Sequence, residues 1–169
     1  MSTRTTLTPV PVQAAGPSWS AAHLGGLAQV DRYASTLPQF PRALRGKVFL
    51  KALLGLTGME VSVTKLPARP EGAAIPFLHR HRAHEELYLF TGGRGQMLVD
   101  GAVIDVEEGS VVRVAPGGAR TVRALPDTEL RYLCIQARQD SMPDAEAADD
   151  GERLAATPAW PSAATRGRP

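Results

Sequence analysis

The residues whose types could support chemistry lie between His79 and Glu86, where two histidines one residue apart precede a pair of glutamates. On a helix, His79 and His81 would point about 200° apart and could not act together. On a strand they share a face, because side chains alternate with a period of two. Two imidazoles and one carboxylate from neighbouring strands can converge on one point, which is the geometry of a 2-His-1-carboxylate metal site. The spacing predicts a shared pocket and, more narrowly, a divalent-metal site.

Two glutamates compete for the role of the carboxylate. Strand parity after the histidines places Glu86, Tyr88 and Phe90 on one face and Glu85 on the opposite face. Only one of the two glutamates can therefore face the same space as the aromatic residues. His84 falls in the connecting turn, where a solvent-exposed side chain is the ordinary outcome and a substitute metal ligand is the alternative.

The elements that must position these residues are short strands. Ile75–Leu78 leads into the histidines as a strand, and a second strand over Glu86–Phe90 ends at a glycine-rich turn. Asp100-Gly101 has the composition of a hairpin turn that needs positive φ. Turn residues at regular intervals separate the strands, a pattern typical of an antiparallel barrel or jelly roll. The further predicted strands are Lys47–Leu50, Met59–Leu66, Gln96–Val99, Ala102–Val106, Ser110–Ala115, Arg120–Leu125 and Leu130–Ala137.

The ends of the chain have a different composition from the strand-rich middle. The first residues are rich in Thr, Pro and Ala and predict a loose arm, followed by a short helix over Ser20–Tyr33 that Gly25 and Gly26 weaken. From Asp140 onward the strand pattern is lost, which predicts a loose tail. We therefore expect a partly ordered N-terminal arm at 1–44, a barrel at 45–138 and a C-terminal tail at 139–169.

Composition narrows the class of partner. The net charge of +2 is spread over mixed basic and acidic residues, which argues against nucleic acid as the main partner. The single cysteine, Cys134, lies in an apolar run and predicts a buried thiol. No apolar stretch is long enough to span a bilayer or resembles a signal peptide. We expect a cytoplasmic protein without a membrane partner.

The spacing His79-x-His81-x4-Glu86-x6-Gly93 resembles the first motif of the cupin superfamily, whose members are small antiparallel β-barrels also called jelly rolls or double-stranded β-helices. The stretch Gly109 to Arg120, with Pro116 and Gly117, resembles the second motif. The resemblance covers roughly residues 45–138. It implies a cupin barrel, and alignment of the glycine turn selects Glu86 as the carboxylate, so the implied metal ligands are His79, His81 and Glu86. The implied metal is divalent: Fe, Zn, Ni or Mn.

The second motif departs from the family pattern at its third histidine, where this chain has Arg120, and four residues later at Ala124, where the pattern has Asn. A guanidinium cannot ligate a cation, because it has only donors and stays protonated. Three states remain open. A metal binds His79, His81 and Glu86 with Arg120 swung aside, Arg120 meets an anionic ligand that also touches the metal, or Arg120 pairs with Glu86 and replaces the metal.

The first functional interpretation is a cupin that binds a small anionic molecule, with a divalent metal held by the two histidines and Glu86. The alternatives are a metal-dependent enzyme of the non-haem dioxygenase or isomerase type, and a metal-free sensing or structural barrel with an Arg120–Glu86 ion pair. The expected ligand-binding residues are Arg120, Tyr88, Phe90 and Gln136. We also expect a homodimer, because Val48–Leu56 offers an apolar edge.

Overall fold

The computed structural model of the chain describes residues 5–6, 10–37, 42–142 and 150–160. The chain divides into two compact units, Met1–Gln139 and Asp140–Pro169. In the second unit, the described residues 140–142 and 150–160 form no helix or strand and their side chains are exposed. The C-terminal tail at 139–169 stays a prediction, and 143–149 and 161–169 lie outside the described part. The barrel and its N-terminal extension belong to the first unit.

Most of the first unit is antiparallel β-structure. Its strands are β1 (Thr5–Thr6), β2 (Val12–Gly16), β3 (Trp19–Ala22), β4 (Ala34–Thr36), β5 (Leu44–Arg45), β6 (Lys47–Phe49), β7 (Met59–Leu66), β8 (Ala73–Ala74), β9 (His84–Val99), β10 (Ala102–Glu107), β11 (Val111–Val114), β12 (Arg120–Ala124) and β13 (Leu130–Arg138). Its helices are the 3-10 helix Leu27–Arg32 and the single turn α1 (Lys51–Leu54). The helices among the described residues are too short or too polar to cross a bilayer.

The main sheet has eight strands, in the order β6-β7-β13-β9-β12-β8, with β10 and β11 also paired to β9. It curls into the antiparallel jelly-roll barrel that the strand pattern predicted, so the predicted fold class is confirmed. Two smaller sheets, β1-β4-β5 and β2-β3, accompany it. The large sheet positions the histidine and glutamate side chains on its inner surface.

The 16-residue strand β9 holds the two halves of the barrel together. Its first half pairs with β13 and β11, and its second half pairs with β12 and β10. The change of partners occurs at Gly93, whose φ of 82° favours glycine and where a Cβ would overlap the carbonyl oxygen of Glu129. The glycine-rich turn predicted after Phe90 is therefore a bend inside one continuous strand.

The inner side of the barrel is an apolar core. Strand alternation turns Tyr88 and Phe90 of β9 toward Leu130 and Tyr132 of β13, and Met97 closes the same cluster. The rings of Phe90 and Tyr132 lie 5.5 Å apart between centroids, at 47°. The aromatic packing fixes the strand that carries Glu86, because Glu86 and Tyr88 share its inward face.

The N-terminal segment packs on the outer side of the same sheet. Val30 and Tyr33 are buried there against Val48 of β6 and Val63 of β7. The predicted helix over Ser20–Tyr33 is wrong in extent, because the structure has a strand at Trp19–Ala22 and a 3-10 helix only from Leu27. The physical reason is the pair of glycines: Gly25 has a φ of 75° and Gly26 is extended, so no helix can run through them.

The predicted strand Ile75–Leu78 is also irregular in the structure. Ile75 N–H donates to Val122 O at 2.9 Å, and His79 forms an isolated bridge with Arg120. Between these contacts, Pro76 has no N–H to offer to the ladder. The chain stays extended along β12, so His79 still reaches the barrel interior.

Candidate functional site

The barrel interior contains a cavity of about 80 Å³. Its wall combines apolar side chains with polar and titratable ones. The lining residues are Leu37, Leu44, Lys47, Phe49, Glu60, Ser62, Ile75, Phe77, His79, His81, Glu86, Tyr88, Thr121, Val122, Tyr132, Cys134 and Gln136. A concave space with a few converging polar groups suits a small molecule, and about 80 Å³ is below the roughly 300–1,000 Å³ of pockets for drug-sized ligands, so it fits only a small one.

The histidines and Glu86 are positioned by backbone pairing on three sides. The bridge between His79 and Arg120 is made by two hydrogen bonds, 3.2 and 2.9 Å, one in each direction. The carbonyl of His81 accepts the N–H of Gly117 at 2.8 Å, in the segment that resembles the second cupin motif. Glu86 lies in register with Gln136 of β13. The ligating atoms of His79, His81 and Glu86 consequently lie within 4.8 Å of one another.

Glu86 is the centre of the polar network. Its Oε1 lies 2.9 Å from Nε2 of His81, and its Oε2 accepts the hydroxyl of Tyr88 at 2.5 Å and the Nε–H of Arg120 at 2.9 Å. Nη2 of Arg120 also contacts Oε2 of Glu86, at a distance of 2.5 Å. Burial alone would raise the pKa of Glu86, but the hydrogen bonds from His81 and Tyr88 and the charge of Arg120 hold it well below its usual range.

Arg120 is buried behind this carboxylate. Its side chain is 1% exposed, and its Nη1 donates to Gly118 O at 3.1 Å. Burial opposes its charge, but the neighbouring Glu86 carboxylate more than compensates and raises the pKa of Arg120. Arg120 is not one of the described residues that line the cavity. Its guanidinium therefore contacts Glu86 rather than the cavity space.

His79 shows the opposite electrostatic behaviour. Burial, and then the charge of Arg120, lower the pKa of its imidazole to about 4, so the ring is neutral at physiological pH. Its Nδ1 is buried and has no hydrogen-bond partner among the described residues. A neutral imidazole with a buried unpaired nitrogen fits a divalent cation or a ligand N–H or O–H group.

The donor set of His79, His81 and Glu86 therefore suits a divalent metal by its chemistry, although Arg120 now contacts the carboxylate. A metal bound there would have to share or displace the guanidinium, because both need the lone pairs of Glu86. The remaining predicted residues separate into two groups. Tyr88 and Gln136 line the cavity, whereas Phe90 belongs to the aromatic core behind it.

The two competing residues of the first motif lie elsewhere. Glu85 points to the outer side of the sheet, where its Oε2 accepts Nε–H of Arg113 at 2.6 Å. His84 is exposed, with its ring centroid 6.2 Å from that of His81. Cys134 is buried as predicted and lines the cavity.

Sequence reasoning missed the opposite wall of the cavity. Lys47 and Phe49 of β6 both face inward and meet Ser62 of β7. The available signal was the alternation of these two residues on a predicted strand. It did not show which face of so short a strand is the inner one.

Comparison with known proteins agrees with this architecture. Residues 68–136 match the family model of the cupin domain. A cupin protein from Bacteroides fragilis is 36% identical, and the match covers 69% of this chain and 96% of that one, with a TM-score of 0.59. A cupin-like protein from Thermotoga maritima is 23% identical over 57% of this chain and 71% of that one, with a TM-score of 0.47.

A further relative is an uncharacterized protein of Methanocaldococcus jannaschii. It is 29% identical over 69 residues, which are 41% of this chain and 55% of that protein. The match thus spans about half the length of that relative.

Proposed function

This chain belongs to the cupin superfamily, and from that premise we propose that its barrel binds a small anionic organic molecule while Arg120 takes the place of a metal ion beside Glu86. The observation that carries the proposal is the buried contact between Arg120 and the Glu86 carboxylate, 2.9 Å at Nε and 2.5 Å at Nη2. A guanidinium compensates the buried carboxylate as a cation would, but it presents no open coordination position.

The cavity in front of this pair supports the binding role. Its apolar wall, with Ile75, Phe77 and Tyr132, would enclose the body of a small organic molecule. The unpaired Nδ1 of His79 would donate a hydrogen bond to it in the tautomer that carries the proton there, and the amide of Gln136 lies in the same wall.

A direct test uses the full chain, purified without chelators and without a nickel column. Metal content is measured by mass spectrometry, and calorimetry follows binding of acetate and benzoate. We expect much less than one metal ion per chain and measurable binding of at least one carboxylate. Stoichiometric metal in the purified protein would contradict the role given to Arg120, and failure of both carboxylates would contradict the binding role.

A metal-dependent enzyme is the second candidate. The observation in its favour is the convergence of His79, His81 and Glu86 within 4.8 Å. When bound, a divalent ion such as Fe, Zn, Ni or Mn would supply a Lewis acid with open positions for substrate or O₂. The chain itself would orient the ligands: Tyr88 would hold Oε2 of Glu86 by its hydroxyl, and Arg120 would have to share or leave that same oxygen.

For assembly, we propose a homodimer formed through the outer face of the main sheet. Val48, which the sequence suggested as part of an edge contact, is buried within the chain against the N-terminal segment. The neighbouring outer face instead exposes Leu87 (39%) and Val111 (58%), with Ile135 beside Leu87 in the register. Apolar side chains that continue a covered surface suit a second copy of the chain. The cytoplasmic location stays a prediction.

A further inference from the structure

A second space lies beside the cavity of the barrel. It is an outer groove of about 530 Å³ along β5 and the chain between β7 and β8. Its lining includes both apolar and charged side chains, among them Leu66, Pro67, Arg69, Glu71 and Pro76. Three residues, Leu44, Lys47 and Ile75, line the cavity and the outer groove alike. Because side chains that line two neighbouring spaces lie between them, these three residues form the partition between the cavity and the outer groove.

Two residues of the partition belong to the barrel, and the third does not. Ile75 is tied to β12, because its N–H donates to Val122 O at 2.9 Å and its carbonyl accepts the hydroxyl of Thr121 at 2.9 Å. Lys47 lies on β6 of the main sheet. Leu44 lies on β5, which pairs with β4 in the small sheet β1-β4-β5. The N-terminal extension therefore completes the partition with a leucine side chain.

The position of Leu44 is fixed from both sides. Gly46, two residues further on, accepts the N–H of Lys65 at 2.7 Å, and its φ of 76° together with the close approach of the Lys65 carbonyl requires a glycine there. Ser35 lies opposite Leu44 in the register, and its hydroxyl donates to Lys47 O at 2.6 Å. Opposed residues of an antiparallel pair share one face. Leu44 thus faces the barrel, as Ser35 does.

We propose that Leu44 sets the size limit of the ligand. Its side chain closes the cavity toward the outer groove, so the barrel binds a short-chain carboxylate and excludes one whose apolar chain would have to continue into the groove. The inference rests on the proposed binding function and adds to it the specificity-determining residue and the ligand class. The space on the cavity side is about 80 Å³, and the space beyond the partition is about 530 Å³. Removal of the Leu44 side chain beyond Cβ joins the two spaces without changing a strand of the main sheet.

The test compares carboxylates of increasing chain length. Acetate, butyrate and octanoate are titrated by calorimetry into the full chain as wild type, Leu44→Ala, Leu44→Val, Leu37→Ala and Leu78→Ala. Leu37 lines the cavity without belonging to the described wall of the outer groove, and Leu78 is 58% exposed outside both spaces.

The expected gain is confined to the long chain and to the variants of Leu44. Each CH₂ group that enters an apolar space raises the affinity about fourfold. The outer groove is partly charged, so octanoate affinity should rise by about tenfold or more in Leu44→Ala, and by less in Leu44→Val. Acetate affinity should change by less than about twofold. Leu37→Ala and Leu78→Ala should leave octanoate affinity at the wild-type value.

The possible results separate the inference from the proposed function. If the wild type binds none of the three carboxylates, the proposed function fails and the inference fails with it. If a short carboxylate binds but octanoate affinity is the same in wild type and both Leu44 variants, the binding function stands and the role of Leu44 is refuted. Octanoate that binds the wild type as tightly as butyrate would also refute it, as would an equal gain in Leu37→Ala or Leu78→Ala. Melting curves identify a variant that does not fold, and the other Leu44 variant then decides.

Discussion

Changing Arg120→His tests the structural role of the residue that departs from the family pattern. In the structure, the guanidinium of Arg120 is in direct contact with the carboxylate that a metal would need. A divalent ion and a unit positive charge about 6 Å apart repel each other by about 5.5 kcal/mol at an effective dielectric of about 20. Histidine at this position removes the repulsion and offers a fourth ligand.

The measurable gain is smaller than the full repulsion, because the arginine of the wild type can turn away at some cost. We expect the affinity for zinc, nickel or iron(II) to rise at least about tenfold, or about 1.4 kcal/mol. Titration calorimetry on the full chain measures this directly. Arg120→Met is the matched control, since it removes the charge without adding a ligand, and its affinity should fall between those of wild type and Arg120→His.

The gain should disappear when His79 and His81 are also changed to Ala, because two of the converging ligands are then absent. Metal affinity equal in wild type and Arg120→His would refute the reasoning, since it would mean that Arg120 neither repels nor displaces a cation at this site. A gain that persists without both histidines would place the metal elsewhere on the chain.

Three further predictions concern stability, assembly and reactivity. Glu86→Gln and Arg120→Met should each lower the free energy of unfolding by about 3–5 kcal/mol, because each leaves a buried charge without its partner. The double variant should lose much less than the sum of the two, and additive losses in urea titrations would argue against the ion pair. Light scattering should show that the wild type is a dimer and that Leu87→Glu is a monomer. The control Val103→Glu, at a 60% exposed position on another strand, should remain a dimer. A monomeric wild type at tens of micromolar would contradict the dimer. Burial raises the pKa of Cys134 to about 12, so its thiol stays protonated up to about pH 9. The thiol should therefore react with Ellman's reagent only after the chain unfolds, and rapid labelling of the native chain would contradict this prediction.

The sequence was most informative where periodicity and turn chemistry act together. The strand Met59–Leu66 occurs with the predicted bounds, and Asp100-Gly101 has the predicted positive φ angles, because alternation and turn chemistry are purely local signals. The extent of the helix over Ser20–Tyr33 was predicted wrongly for the opposite reason. Val30 and Tyr33 have a helix-like spacing, but their burial depends on a sheet that forms far along the chain. A local pattern cannot show that contact.

At the site, parity correctly separated the inner from the outer residues of β9. Glu86 and Tyr88 face the cavity, and Glu85 pairs with Arg113 outside. Parity could not show which of Tyr88 and Phe90 lines the cavity, since both side chains face inward. The difference is depth along the strand: Tyr88 reaches the carboxylate with its hydroxyl, whereas Phe90 lies further along, in the core.

The choice among the three states of Arg120 required distances. In the sequence, Arg120 is compatible with a position swung aside from a bound metal, with an anionic ligand that also touches the metal, or with Glu86 as its partner in place of the metal. The structure places Glu86 between His81, Tyr88 and Arg120, and of these Arg120 carries the compensating charge. Hydrogen bonds alone do not offset the burial of a negative charge, so the carboxylate needs a cation. The chain supplies that cation from its own sequence, as Arg120.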